Sequence, residues 1–122
     1  DLDGFKAVND LHGHAAGDAV LQETADRMAD AIRVSDVAAR LGGDEFAVLL
    51  LGADKDNAQR VAQALVESLS QPYPDVSVAV SASVGIAVYP QSGVTVRELL
   101  ERADMALYKA KGQGKRRVES DQ

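Results

Sequence analysis

Two aspartates separated by one apolar residue, Asp1-Leu2-Asp3, and two acids that follow a pair of glycines, Gly42-Gly43-Asp44-Glu45-Phe46, are the residues of this chain best suited to chemistry. Alternation along an extended strand puts Asp1 and Asp3 on one face. Glycine supplies the positive φ that a two-residue hairpin needs and, lacking a Cβ, lets a bulky anion approach the backbone. Carboxylates at such a tip suit a hard cation. A magnesium ion that holds nucleotide phosphates takes one or two protein carboxylates and leaves its other positions to water and phosphate oxygens. Asp1 and Asp44 can supply that pair if their strands are neighbours. Each fragment also has a plainer reading, since Gly-Gly and Gly-Asp are common hairpin dipeptides and Asp-x-Asp also occurs at solvated strand ends.

Composition narrows the partners. The chain has 122 residues, 46% of them hydrophobic, enough for one core. A formal net charge of -6 argues against a nucleic-acid polymer, whose phosphates require a basic stripe. A small phosphorylated ligand stays compatible, because its charge can be met locally by metal and by Lys109, Lys111, Lys115, Arg116 and Arg117. The chain has no cysteine, which excludes disulfides and thiolate metal sites and accords with a cytoplasmic setting. No stretch approaches the ~20 apolar residues of a membrane span, so no membrane contact is expected of this domain, whatever anchors its parent.

The elements that must position these acids are legible as periodicities. Leu21, Ala25, Met28 and Ile32 recur at helical spacing and predict a helix over about 17–33, with Asp18 a candidate N-cap. Val37 to Leu41 and Phe46 to Leu51 predict buried strands paired across the glycine turn. Asn57 to Leu69 predicts a helix with Ala58, Val61, Ala62, Leu65 and Leu69 inward. Val76 to Val88 alternates as a half-buried strand or strand pair, with a bend or bulge expected near Ser83 and Gly85. Thr95-Val96-Arg97-Glu98 is a capping box that opens a helix running to about Lys111, with Val96, Leu99, Leu100, Ala103, Leu107 and Ala110 as its stripe and Gly112 or Gly114 at its end. Tyr108 is expected in the core, His12 exposed, and His14 as a support for its own loop. Helices alternating with strands, one link being a tight hairpin, indicate an α/β fold (an α+β sandwich) with a mixed central sheet flanked by helices.

Five blocks then stand in order: Asp1-Leu2-Asp3-Gly4-Phe5-Lys6-Ala7-Val8-Asn9-Asp10, Gly13-His14-Ala15-Ala16-Gly17-Asp18, Gly42 to Phe46, Ser83-Val84-Gly85-Ile86-Ala87, and Ala103-Asp104-Met105-Ala106-Leu107-Tyr108-Lys109-Ala110-Lys111. Together they resemble the GGDEF-family diguanylate cyclase domain over nearly the whole chain. The resemblance implies a fold like nucleotidyl cyclase and polymerase palm domains, and condensation of two GTP molecules into cyclic di-GMP with release of pyrophosphate. It implies Mg²⁺, with Mn²⁺ as an alternative, held by Asp1, Asp44 and the carbonyl of Leu2. Asn9 and Asp18 match guanine-recognising positions. Phe5 and Lys6 match phosphate contacts through backbone amides, and Lys111 and Lys115 through charge. Gly43 falls where nucleotide and backbone come close, and Glu45 is a metal-site or base candidate. Arg33 and Asp36 match the family's Arg-x-x-Asp inhibitory site; unplaced, that pattern is a helix-end arginine and a loop aspartate. Because one site holds one nucleotide, a cyclic dimer of nucleotides implies a homodimer, brought together by attached sensory or dimerising domains.

The departures are specific. The block that usually precedes the first aspartate is not present, so the resemblance implies a GGDEF domain over 1–122 that lacks its first helix and most of its first strand. Lys115 stands where an arginine is common and gives up the bidentate fork. Asp44 is a glutamate in many relatives. An alternative from another class is a catalytically inactive GGDEF domain that binds GTP or cyclic di-GMP as a regulatory module.

Overall fold

A computed structural model describes residues 1–121. The elements run β1 (Leu2–Asp3), α1 (Phe5–His12), α2 (His14–Ala31), β2 (Val37–Gly42), β3 (Glu45–Leu49), α3 (Lys55–Leu69), β4 (Ser81–Ala82), β5 (Val84–Ile86), α4 (Val96–Gly112) and β6 (Val118–Ser120). The strands form three short ladders: β1 with β4 and β2 with β3, both antiparallel, and β5 with β6, parallel. Single backbone bonds stitch them together: Leu2 N–H to the Asp44 carbonyl (3.2 Å), Ser83 N–H to that of Asp1 (3.0 Å) and Val84 N–H to that of Arg117 (2.9 Å). β1 therefore lies between the hairpin tip and β4, and the mixed sheet with flanking helices is as expected.

Side-chain alternation on β5 separates the helical layers. Ile86 packs with Ala58 and Ala62 of α3. Gly85 faces the other way, where a Cβ would overlap the Ala103 carbonyl of α4 and lie 2.5 Å from the Leu107 nitrogen. Gly85 is thus a site of close helix approach rather than the expected bend, and the break falls at buried Ser83, between β4 and β5. Residues 76–80 alternate in burial but pair with no strand; Ala79 and Val80 instead border Gly4 at the start of α1.

Several expectations are corrected. α2 begins at His14, so Asp18 is inside the helix and exposed, and does not cap it. Its buried stripe is Gly17, Val20, Thr24 and Met28, a rotation away from Leu21, Ala25 and Ile32, because α1 and α3 both pack against it. The β2–β3 hairpin is exposed along β2, not buried: it projects from the body, and Phe46 and Val48 of β3 provide its contact with the core. β3 stops at Leu49 because the Leu51 amide turns to the Asp36 carboxylate (3.1 Å). On α4 the inward face is Leu99, Ala103, Ala106, Leu107 and Ala110, while Val96, Leu100 and Tyr108 are exposed, Tyr108 by 82%. The α4 cap forms as expected at Thr95, but Glu98 reaches back to the Thr95 hydroxyl and the Val94 amide rather than to the Thr95 amide. α3 matches the predicted face, with Val66 added.

Candidate active site

The cleft is built where four chain segments meet. α1 starts at Gly4, whose left-handed φ of 84° and whose contact with Ala79, where a Cβ would come within 2.6 Å of the carbonyl oxygen, admit only glycine. No side chain caps this helix start, so the first-turn amides of Phe5 and Lys6 stay available to an anion. The hairpin tip is a two-residue connection, Gly43–Asp44, closed by pairing of Gly42 with Glu45 and pinned by Arg40 Nε donating to the Gly43 carbonyl (2.9 Å). Gly43, the first residue of the connection, carries the positive φ that this turn requires (52°). After α4 the chain reverses through Lys115 and Arg116, both at positive φ (65° and 46°), an uncommon conformation for residues with a Cβ.

An open cleft of about 460 Å³ results, lined by Asp1, Leu2, Phe5, Lys6, Asp10, Asp44, Lys111 and Lys115 with neighbouring backbone. Seven of the residues given a site role by the resemblance thus come to one place: Asp1, Leu2, Phe5, Lys6, Asp44, Lys111 and Lys115, with Asp3 beside them. Asn9 lies apart from this lining, packed against Gly17, the residue before the exposed Asp18. Gly43 and Glu45 flank Asp44 on the exposed hairpin and do not line the cleft. The basic cluster disperses, with Lys109 facing Glu119 (3.8 Å) and Arg117 bonded to the Lys115 carbonyl (3.2 Å).

Sequence reasoning placed Asp3 on one face with Asp1 but gave it no role. Its carboxylate is buried and accepts from Ser81 Oγ (2.8 Å), Ser83 Oγ (2.9 Å), the Arg116 amide (3.2 Å) and Lys111 Nζ. Burial alone would raise its pKa; the bonds from Lys111, Ser81, the Arg116 amide and Ser83 prevail and hold it below the usual carboxylate value. Asp3 therefore anchors α4 and the Lys115–Arg116 turn to β1. The Asp-x-Asp alternation was the available signal, but its four partners lie 78 to 113 residues away in sequence.

Lys111 is the second centre. Its ammonium contacts Asp1 Oδ1 (2.9 Å), Asp3 Oδ1 and, at 3.5 Å, the Leu2 carbonyl. A cation thus stands on two of the three groups expected to hold metal, and an all-oxygen donor set of this kind fits a hard divalent ion. Among the described residues no group of three His, Cys, Asp or Glu side chains is placed to hold a metal ion by itself.

Away from the cleft, Arg33 and Asp36 form a clip. Asp36 accepts from the Arg33 amide (3.0 Å), the Arg33 guanidinium (3.4 Å) and the Leu51 amide, and Arg33 Nη2 donates to the Leu51 carbonyl (2.6 Å). The Arg33 amide and guanidinium, then the Leu51 amide, hold the Asp36 pKa below its ordinary value. His12 is more than an exposed residue: its Nε2 accepts from the Ser77 amide (3.2 Å) and ties α1 to the 76–80 segment. His14 is exposed at the first position of α2.

The sequence profile described as "Diguanylate cyclase, GGDEF domain" matches residues 1–117. The chain belongs to the GGDEF family. It is 50% identical over 118 residues to the bifunctional diguanylate cyclase/cyclic di-GMP phosphodiesterase MucR of Pseudomonas aeruginosa, covering 94% of this chain and 17% of MucR. It is 47% identical to the diguanylate cyclase TpbB of the same species, covering 97% of this chain and 28% of TpbB. The chain thus spans less than a third of either relative. Among solved structures, the GGDEF domain of TpbB superposes with a TM-score of 0.90 at 44% identity, covering 98% of this chain and 77% of that one. The GGDEF domain of DgcB from Caulobacter crescentus, in complex with c-di-GMP, gives 0.86 at 28% identity, covering 99% and 74%.

Proposed function

We propose that this GGDEF domain is catalytic and condenses two GTP molecules into cyclic di-GMP with release of two pyrophosphates. The observation that carries this reading is the convergence of Asp1, the Leu2 carbonyl, Asp44, the first-turn amides of α1, Lys111 and Lys115 on one open cleft. In each half-reaction a ribose 3′-hydroxyl loses its proton and bonds to the α-phosphorus of the other nucleotide, while the bond to pyrophosphate breaks in line. Amides of Phe5 and Lys6 bind phosphate oxygens, and the charges of Lys111 and Lys115 bind and orient the leaving pyrophosphate. Asn9 and Asp18 take the guanine edge, Gly43 leaves room beside the nucleotide, and Glu45 is the candidate to receive the proton or bind metal. Asp1, Asp44 and Leu2 O would hold Mg²⁺ or Mn²⁺, which when bound lowers the pKa of the attacking hydroxyl and offsets phosphate charge.

Each cleft serves one GTP, so the active form is a homodimer of facing domains, brought together by other parts of the protein. No described helix is long and apolar enough to cross a membrane. Product inhibition through Arg33 and Asp36 belongs to the same reading: the Arg33 side chain is 65% exposed and oriented by Asp36 and Leu51. The expected result is cyclic di-GMP formation by the full-length protein with GTP and Mg²⁺, and a loss of at least about a hundredfold in Asp44→Ala. Absence of product from the unsubstituted full-length protein sinks the catalytic reading. Inhibition by added cyclic di-GMP that persists unchanged in Arg33→Ala sinks the regulatory one.

A further inference from the structure

Lys111 stands in a place that its assigned task does not explain. A lysine whose work is to bind phosphate would be expected to point into open cleft. Here the ammonium is drawn down onto Asp1 Oδ1 (2.9 Å), Asp3 Oδ1 and the Leu2 carbonyl (3.5 Å), and its side chain is only 28% exposed. Asp1 and Leu2 are two of the three groups that would hold a divalent ion, so the ammonium and the ion compete for the same oxygens. Asp3 does not depend on Lys111 alone, since Ser81, Ser83 and the Arg116 amide remain bonded to it. The lysine can therefore leave without stranding a bare buried carboxylate.

We propose that Lys111 is an exchangeable internal cation: without nucleotide it neutralises the metal ligands and lowers their affinity for a divalent ion, and phosphate draws it off them. This rests on the reading of the cleft as the metal and nucleotide site. Lys111 sits at the last turn of α4 on a flexible four-carbon stem, and the other side of its reach is the cleft wall shared with Lys115 and Lys6. When a triphosphate occupies the cleft, the ammonium exchanges carboxylate partners for phosphate oxygens, and Asp1 and Leu2 O become free for the ion. Metal and nucleotide are then coupled beyond their direct contact, and the coupling is reciprocal, since each raises the affinity for the other by the same factor. The arrangement also sets one positive charge against two acids in the empty state, which limits capture of divalent ions before substrate arrives.

The exchange predicts effects of opposite sign from one substitution. In the full-length protein, Mn²⁺ binding is followed by loss of the free-ion electron paramagnetic resonance signal, and the share abolished by Asp44→Ala is assigned to this site. Without nucleotide, Lys111→Met should bind Mn²⁺ about tenfold tighter than the unsubstituted protein, the order expected from removing one competing charge in direct contact. The same variant should bind a non-hydrolysable GTP analogue more weakly, and the analogue should enhance its Mn²⁺ affinity less. Lys115→Met removes equal charge from the same cleft without touching the ligands and should change Mn²⁺ affinity by less than about threefold. Lys111→Arg, which keeps a cation there, should show no gain. Equal gains in Lys111→Met and Lys115→Met, a gain in Lys111→Arg, or no gain at all would overturn the exchange. If the unsubstituted protein and Lys111→Met both lack Asp44-dependent Mn²⁺ binding even with the analogue present, the reading of the cleft fails instead.

Discussion

The chain pairs a basic residue with a covered aspartate in two places, and the two pairs differ in sequence separation and in how exposed the base is. Lys111 and Asp3 are 108 residues apart, and Asp3 is buried among donors from β4, the β4–β5 junction and the turn after α4. Arg33 and Asp36 are three residues apart in one loop, and with Leu51 they brace the end of β3; the Asp36 carboxylate is covered by its own donors, whereas the Arg33 side chain is mostly exposed. The first arrangement joins separate elements into a site. The second shapes a loop and leaves most of its arginine in water. The cover over the basic partner decides how much each contributes to stability, because Lys111 and Asp3 are both largely out of water, whereas water replaces the exposed Arg33 guanidinium when it is removed.

Substitution of the buried acid gives the largest effect. Asp3→Ala should destabilise the fold by about 3 kcal/mol, measured by urea denaturation, because Ser81, Ser83, Lys111 and the Arg116 amide lose their shared acceptor. A loss no larger than that of an ordinary surface substitution would dissolve the contrast. An intermediate case sharpens it. Arg27 pairs locally with Glu23 (2.9 Å), yet it is largely buried, donates to the carbonyls of Ser68, Gln71 and Pro72, and lies 4.0 Å over the Tyr73 ring. Arg27→Ala should cost about 2 kcal/mol by the same measurement, because three carbonyls and the face of Tyr73 lose a largely buried guanidinium.

Acid titration isolates the charge itself. Asp3 has a depressed folded pKa, so its contribution is present above the unfolded value of about 4 and is lost as pH falls through the lower folded value. The stability gap between the unsubstituted protein and Asp3→Asn should therefore be flat near neutrality and shrink below about pH 4. A gap independent of pH across that range would show that the carboxylate's charge is not what stabilises. The smallest stability change is expected for Arg33→Ala, smaller than either buried substitution in thermal unfolding, with its effect appearing in product inhibition. If it rivals Asp3→Ala, the loop clip is structural in a way its exposure does not suggest.

Much of this was legible beforehand, for identifiable reasons. The glycine turn was readable because a two-residue connection needs positive φ, and Gly43 supplies it. Thr95 was readable as an N-cap because capping is a contact between near neighbours, although the return contact of Glu98 went to different atoms. The α2 face was misread because Leu21, Ala25, Met28 and Ile32 satisfy the helical period as well as Gly17, Val20, Thr24 and Met28 do. Only the neighbours on either side, α1 and α3, choose between the two. Tyr108 fails for the same reason: helical spacing names a stripe but not what covers it.

By itself, the sequence determined the family, the three longest helices, the hairpin tip and the set of residue types able to hold phosphate and a hard cation, while α1 and β6 went unread. These depend on local spacing and on residue chemistry, which the linear chain carries in full. Only the tertiary structure decided that Asp3 is the buried hub, that the cleft gathers Asp1, Asp44, Lys111 and Lys115 while Asn9, Asp18 and Glu45 stand outside its wall, and that Lys111 rests on Asp1, Asp3 and the Leu2 carbonyl. Those facts depend on contacts across as many as 113 residues, and nothing in local spacing encodes where a folded chain brings its distant segments together.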